Sequence, residues 1–247
     1  MNTLKTAKEF DDLKDEFLSN VSHDLKIPLS AIKGYCDLLI CEVETDKNFS
    51  KKNQLKGLNV IRESTARLAY FIDNILDLTK LKSGILKIKL TPVYLDEVVH
   101  EAAKLFKTTA ADQKKKMILE VHENLPSVRA DFDRIKQVIL NLLDNAFKFT
   151  KRGDRISIFV RLSPLYGDKY VEICVADTGI GISEENIKMI FENFYRVRDN
   201  ECKKSKGSGL GLSIAYEIIR LHDGKIWAEG KIGRGTKVNF ILPILKM

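Results

Sequence analysis

Residues 133 to 150 read DRIKQVILNLLDNAFKFT, and the periodicity of this stretch decides what the second half of the chain is. Ile139, Leu140, Leu143 and Phe147 recur at helical spacing and can pack inward. Asn141, Asn145 and Lys148 stand at i, i+4 and i+7, so all three share the opposite face. Two amides and an ammonium make poor core residues. They suit a Mg²⁺ ion with triphosphate oxygens: an amide oxygen for the metal, a lysine for the charge. A polar surface stripe is common, so the stretch is read together with the segments that follow it.

Two glycine-rich segments follow. DTGIGI, residues 177 to 182, closes an apolar strand with Asp177, a carboxylate placed to accept the exocyclic amine of adenine. Gly179 and Gly181 let backbone come close to a flat base. KGSGLGLS, residues 206 to 213, opens a helix with Gly207, Gly209 and Gly211, where free backbone N–H groups and the helix dipole favour phosphate. No GxxxxGK[ST] run occurs, which excludes a P-loop. No strand immediately precedes the glycines, which excludes a dinucleotide fold. Between the two segments, FENFYRVRDNECKKSK (191 to 206) has a charged second half with little to bury and reads as a lid. Phe191, Phe194 and Tyr195 would anchor its base, and Arg196 could reach a γ-phosphate.

Working outward, ILKIKLTPVYL (85 to 95) alternates as a strand, a helix is expected over 95–113, and MILEVH reads as a strand. RISIFVRL and KYVEICVAD pair as a hairpin, and GKIWAEG and GTKVNFILP supply two closing strands. Mixed in this order, the elements predict an α+β sandwich, one sheet covered on one face by helices.

Before residue 84 the texture is wholly helical. Phe10, Leu13, Phe17, Val21, Leu25, Ile32 and Leu39 mark a helix over 3–45, and Leu55, Leu58, Leu68, Ile72, Ile75 and Leu76 mark a second that ends at Ser83-Gly84. A two-helix hairpin buries little, so two copies are expected to pair as a four-helix bundle in a homodimer. Domains are therefore expected at 1–84 and 85–247. At about 100° per residue, His23 lies roughly opposite Val21, Leu25 and Ile32, facing away from the bundle. Asp24 beside it can take the imidazole proton and fix the tautomer, leaving the other nitrogen nucleophilic. Pro28 cannot donate to the Asp24 carbonyl and should loosen the helix one turn on. His100, His122 and His222 have no such setting and read as structural or surface residues.

Composition sets bounds. Of 247 residues, 44% are hydrophobic and 30% charged, as in a globular protein. A net charge of +7 with the signs interleaved, and no aromatic-interleaved basic stretch, gives no nucleic-acid groove. Four cysteines form no C-x-x-C pair, which fits a reducing, cytoplasmic setting. The charged N-terminus is no signal peptide, and no apolar run of about 20 residues spans a membrane. The chain could still be the cytoplasmic part of a membrane-bound receptor.

Taken together, these motifs resemble those of the sensor histidine kinases of two-component systems, over about residues 10 to 243. SHDLKIPL resembles the phosphoacceptor box, DRIKQVILNLLDNAFKFT the N box, DTGIGI the first glycine box, FENFYR the F box, GSGLGLS the second glycine box and GRGT (233 to 236) the closing glycine motif. The resemblance implies a dimerisation and phosphotransfer hairpin followed by a Bergerat-type ATP-binding domain. It implies His23 as phosphoacceptor and Asp24 as its general base, with ATP and Mg²⁺ as cofactors. Asn145 would hold Mg²⁺ with Asn141 as a second polar ligand. Lys148 would face the phosphates, Phe149 the adenine, and Asp177 the adenine amine, while Gly207, Gly209, Leu210 and Gly211 would cradle the phosphates. An aspartate of a response regulator receiver domain would take the phosphoryl group from His23. One position departs from the family: Ile27 stands where Thr or Asn often orients water for dephosphorylating the partner. That departure implies a kinase with weak phosphatase activity. Two other readings stay open, a Bergerat-fold ATPase or serine kinase without phosphohistidine, and a dimeric scaffold that binds nucleotide as a structural ligand.

Overall fold

The computed structural model describes residues 2–44, 51–192, 195, 197 and 209–245; of residues 2–20, His23, Asp24, Arg67, Tyr70, Lys82 and Asp168 it describes the backbone alone. The chain divides into two compact units, one reaching to Lys80 and the other starting at Leu81.

The first unit is a hairpin of helices α1 (Asn2–Glu44) and α2 (Lys51–Lys82). Pro28 lies inside α1 and is buried, and the helix continues through it. Val21, Leu25, Pro28, Ile32, Tyr35 and Leu39 form the covered stripe of α1, repeating every three or four residues. Gly57 of α2 presses against this stripe: a Cβ there would sit 3.3 Å from Tyr35 Cδ1 and 3.7 Å from the Leu39 methyls. Farther along α2, Phe71, Asn74, Leu78 and Leu81 are buried. Leu29, Leu38, Ile40, Leu55, Leu58, Ile72 and Leu76 remain exposed, an apolar surface spread over both helices. Among the described residues, no helix is long and apolar enough to cross a membrane.

The second unit is an α+β sandwich. Its elements are β1 (Thr91–Val93), α3 (Leu95–Asp112), β2 (Lys116–Val121), β3 (Val128–Ala130), α4 (Phe132–Phe149), β4 (Arg155–Ser163), β5 (Gly167–Asp177), α5 (Glu184–Ile187), α6 (Gly211–Leu221), β6 (Lys225–Lys231) and β7 (Gly235–Pro243). Five strands form one sheet in the order β2-β4-β5-β7-β6. β2 pairs with β4 in parallel and the other neighbours are antiparallel. β1 and β3 make a separate antiparallel ribbon.

The alternation of each strand explains which face is covered. Ile156, Ile158 and Val160 of β4, Val171, Ile173 and Val175 of β5, and Phe240 and Leu242 of β7 are buried. They pack with Val98, Val99 and Ala102 of α3, Ile135, Ile139 and Leu143 of α4, and Ile214, Ile218 and Ile219 of α6, all of them also buried. The other sheet face carries polar groups that satisfy one another. The Glu172 carboxylate is buried, accepting from Arg161 at 2.8 Å and from Ser163 Oγ at 3.2 Å.

Two differences from the sequence reading stand out. The alternating run from Ile85 is strand only from Thr91 to Val93. The backbone N–H of Lys89 instead donates to the Asp131 carboxylate at 2.9 Å, so the segment is held by a side chain and not by a neighbouring strand. Strand β3 is three residues long, too short for periodicity to reveal.

Candidate functional site

Helix α4 is fixed at both ends by its own sequence. Asp131 is its N-cap, in an extended conformation, with Oδ1 accepting the Arg134 N–H at 3.2 Å. At the other end, Thr150 Oγ1 donates to the Ala146 carbonyl at 2.7 Å and Lys115 Nζ to the Phe147 carbonyl at 2.6 Å, satisfying two carbonyls of the last turn. Burial lowers the Lys115 pKa, and Asp154 partly offsets this.

Asn141, expected on an open polar face, is only 2% exposed. Its Nδ2 donates to the Gly211 carbonyl at 3.0 Å, so this amide braces the first residue of α6. One turn on, Asn145 is half-exposed, and Lys148 pairs with Asp144 on its own helix. The start of α6 follows from the glycines. Gly209 has φ +68°, and Leu210 behind it is fully buried. Leu210 is the N-cap of α6 and makes no side-chain cap hydrogen bond of its own; the N-terminus of such a helix favours an anion.

The DTGIGI segment is threaded between three backbones. A Cβ on Gly179 would lie 2.1 Å from the Phe149 carbonyl oxygen, and one on Gly181, at φ +74°, 2.0 Å from that of Lys231. The absent side chains thus admit neighbouring backbone here. Ile180 N–H donates to the Phe149 carbonyl at 3.1 Å, Thr178 N–H to that of Arg155 at 3.0 Å, and Gly233 N–H to that of Ile180 at 2.7 Å. Gly235 completes the weave: its Cβ would lie 1.9 Å from the Asp177 carbonyl oxygen. Asp177, half-buried at the end of β5, accepts the Gly179 N–H at 2.8 Å. Burial raises its pKa, and the backbone N–H groups of Gly179 and Thr236 counter this by stabilising the charged form.

The fold therefore brings Phe149, Asp177, Gly179 and Gly181 into one backbone cluster and, separately, Asn141 onto Gly211. Tyr195 donates its hydroxyl to Asn186 Oδ1 at 2.6 Å, and Phe191 lies 6.1 Å from Tyr216. Arg196, Phe194 and Gly207 lie outside the described residues, as do the side chains of His23 and Asp24, whose backbone is part of α1. Two contributors were not foreseen as site residues. Thr236 faces the Asp177 carboxylate, and its only signal was its place in GRGT. His222, read as structural or surface, is buried with both ring nitrogens hydrogen-bonded.

Family comparisons agree with this architecture. Residues 13–84 match the model of the His Kinase A (phospho-acceptor) domain, and residues 130–246 match that of the histidine kinase-, DNA gyrase B- and HSP90-like ATPases. The non-motile and phage-resistance protein of Caulobacter vibrioides is 34% identical over 96% of this chain, which spans 28% of that relative's length. The catalytic domain of histidine kinase ThkA superposes on 63% of this chain and 96% of its own, with 33% identity and a TM-score of 0.55. ThkA in complex with the response regulator TrrA covers 96% of this chain and 64% of its own, with 25% identity and a TM-score of 0.63. A helical hairpin matching a phosphoacceptor domain, joined to a sandwich matching a kinase catalytic domain, identifies this chain as a member of the sensor histidine kinases.

Proposed function

We propose that this chain uses ATP to phosphorylate its own His23 and passes the phosphoryl group to an aspartate of a response regulator receiver domain. The observation that carries the reading is the start of α6, where Asn141 braces the carbonyl of Gly211, in the same unit as the Asp177 carboxylate at the end of β5. A carboxylate suits the adenine amine, and a helix N-terminus suits phosphate. Phe149 would flank the base, and Gly207 to Gly211 would line the phosphates. Arg196 and Tyr195 would act from the lid.

The chemistry needs positioning more than covalent help. One imidazole nitrogen of His23 bonds to the γ-phosphorus as the bond to the bridging oxygen breaks and ADP leaves. Asp24 holds the other nitrogen's proton and accepts it as the ring becomes positive. Mg²⁺ would neutralise the phosphate oxygens. Asn145, half-exposed, is its better ligand on α4, since the Asn141 amide is buried against Gly211. Among the described residues, no group of three His, Cys, Asp or Glu side chains could hold a metal ion by itself, as fits a cation that arrives with nucleotide.

The functional domains are taken as 1–84 and 85–247, with the segment near Gly84 as the hinge. The exposed leucines and isoleucines of α1 and α2 support a homodimer closed as a four-helix bundle. The ThkA–TrrA complex supports a receiver domain as the partner. Use of ATP and a receiver domain favours a cytoplasmic setting.

Incubation with γ-labelled ATP tests the reading. The wild-type protein should acquire an acid-labile label, and His23→Gln should acquire none. Labelling that survives this substitution would exclude His23 as the acceptor.

A further inference from the structure

The sequence reading left His222 without a role. It follows α6 directly and is only 2% exposed. Its Nδ1 lies 2.7 Å from the Ile218 carbonyl oxygen, so Nδ1 carries the proton. Its Nε2 is then a bare acceptor, and the backbone N–H of Asp131 donates to it at 3.0 Å. Burial favours this neutral form, with Asp131 and Asp223 as the opposing charged neighbours. The next turn is locked to the sheet, since a Cβ on Gly224 would lie 2.3 Å from the Ile241 carbonyl oxygen of β7.

Asp131 joins three pieces of chain. Its N–H goes to His222, its Oδ1 takes the Arg134 N–H at the start of α4, and its Oδ2 takes the Lys89 N–H at 2.9 Å. Lys89 belongs to the segment that follows α2. Helices α4 and α6 are therefore fastened to one another at two levels: Asp131 to His222, and Asn141 to Gly211. The fastenings are ten residues apart on α4 (141 − 131) and eleven apart on α6 (222 − 211), so they lie about 15 Å from each other along either axis. Matched spacing on two antiparallel helices fixes their axial register. That register sets where Gly211 stands against Asn141.

We propose that His222 and Asp131 are positioning residues for nucleotide: their hydrogen bond holds the α4–α6 register that seats Gly209 and Gly211, and the Asp131 carboxylate ties that register to the segment around Lys89. The inference rests on nucleotide binding at the start of α6. Neither residue touches the reacting atoms.

The test is calorimetric binding of Mg·ADP to the full chain, together with KM and kcat for self-phosphorylation. His222→Phe keeps an aromatic ring and removes the acceptor. His222→Gln restores an acceptor oxygen near the place of Nε2. Asp131→Asn remains a good N-cap, but its single oxygen can serve Arg134 or Lys89, not both. Expected are an affinity loss and a KM rise of about five-fold in His222→Phe and Asp131→Asn, the factor one ordinary hydrogen bond represents, with kcat little changed. Recovery in His222→Gln is the result that a general loss of packing would not give. Wild-type-like binding in both His222→Phe and Asp131→Asn overturns this inference alone. A wild-type protein that bound no Mg·ADP would overturn the nucleotide reading and this inference with it. Should His222→Phe fail to fold, unaltered binding by Asp131→Asn still overturns the coupling to Lys89.

Discussion

Replacing Gly179 by alanine separates two reasons why a glycine is required. The residue has no left-handed backbone, so alanine there is opposed only by space. Its Cβ would lie 2.1 Å from the Phe149 carbonyl oxygen, 2.8 Å from the carbonyl carbon and 3.0 Å from Asp177 Oδ1. Reaching even 3.0 Å from the oxygen displaces one backbone by about 0.9 Å (3.0 − 2.1). Such a shift strains the Ile180 N–H bond to the same oxygen, now 3.1 Å. Overpacking costs about 2 kcal/mol and a lost hydrogen bond about 1 kcal/mol, together about 3 kcal/mol. Gly153 is the complementary control: φ is +92° and nothing lies within 4 Å of its Cβ, so alanine costs about 1 kcal/mol of backbone strain. Gly181 combines φ +74° with a 2.0 Å approach to Lys231, and alanine there should cost about 4 kcal/mol. Urea unfolding of the three variants, followed through the sheet's circular dichroism, ranks them. In a domain of this size, Gly179→Ala should lower the thermal midpoint by about 6–12 °C. If Gly179→Ala proves no less stable than Gly153→Ala, the close-approach argument is refuted.

Other consequences can be measured alongside it. Asp177→Asn should weaken Mg·ADP binding at least about ten-fold, the value of a hydrogen bond to a charged group; binding should also weaken in acid at a pH above the ordinary aspartate value, because burial raises this pKa. His222 has a lowered pKa, so the unfolded chain takes up its proton first as pH falls below about 6.5. Stability should therefore decline from there down to the lowered folded value, and His222→Gln should flatten that slope in denaturation curves. Arg161→Ala strips a buried carboxylate of its cation and should cost about 3 kcal/mol, whereas Arg220→Ala breaks an exposed pair with Glu217 worth less than about 1 kcal/mol. Ile27→Thr should speed phosphate release from a phosphorylated receiver domain in the presence of ADP; brisk release by the wild type, unchanged in the variant, would contradict the weak-phosphatase reading.

The helices and long strands were legible because each buries one face, and burial leaves a period in the sequence. The α4 amphipathic pattern and the β4–β5 hairpin are of this kind. Asn141 was misplaced because what covers it comes from seventy residues away: Gly211 packs against its amide, and no local pattern encodes that. The run at 85–90 alternates like a strand, yet it pairs with no strand among the described residues, and Lys89 donates instead to the Asp131 carboxylate. His222 gave no sign of being buried, because its partners are backbone groups, the Asp131 N–H and the Ile218 carbonyl. The place of Asp177 at the end of β5 was readable because a carboxylate closing an apolar run stands out, and in the structure it takes the Gly179 N–H. Thr236, whose contribution is a main-chain donor, was not.

The place of β7 carries a consequence for how the protein is made. It follows β6 in sequence, yet it lies between β5 and β6 and pairs with both. A nascent chain that has reached Lys231 holds β5 and β6 with nothing to join them. The helical hairpin can form early on the ribosome. The catalytic sheet cannot close until residue 243 has emerged, and pairings so distant in sequence form slowly. Chains cut short before β7 should expose the unpaired edges of both strands and be lost to aggregation or proteolysis.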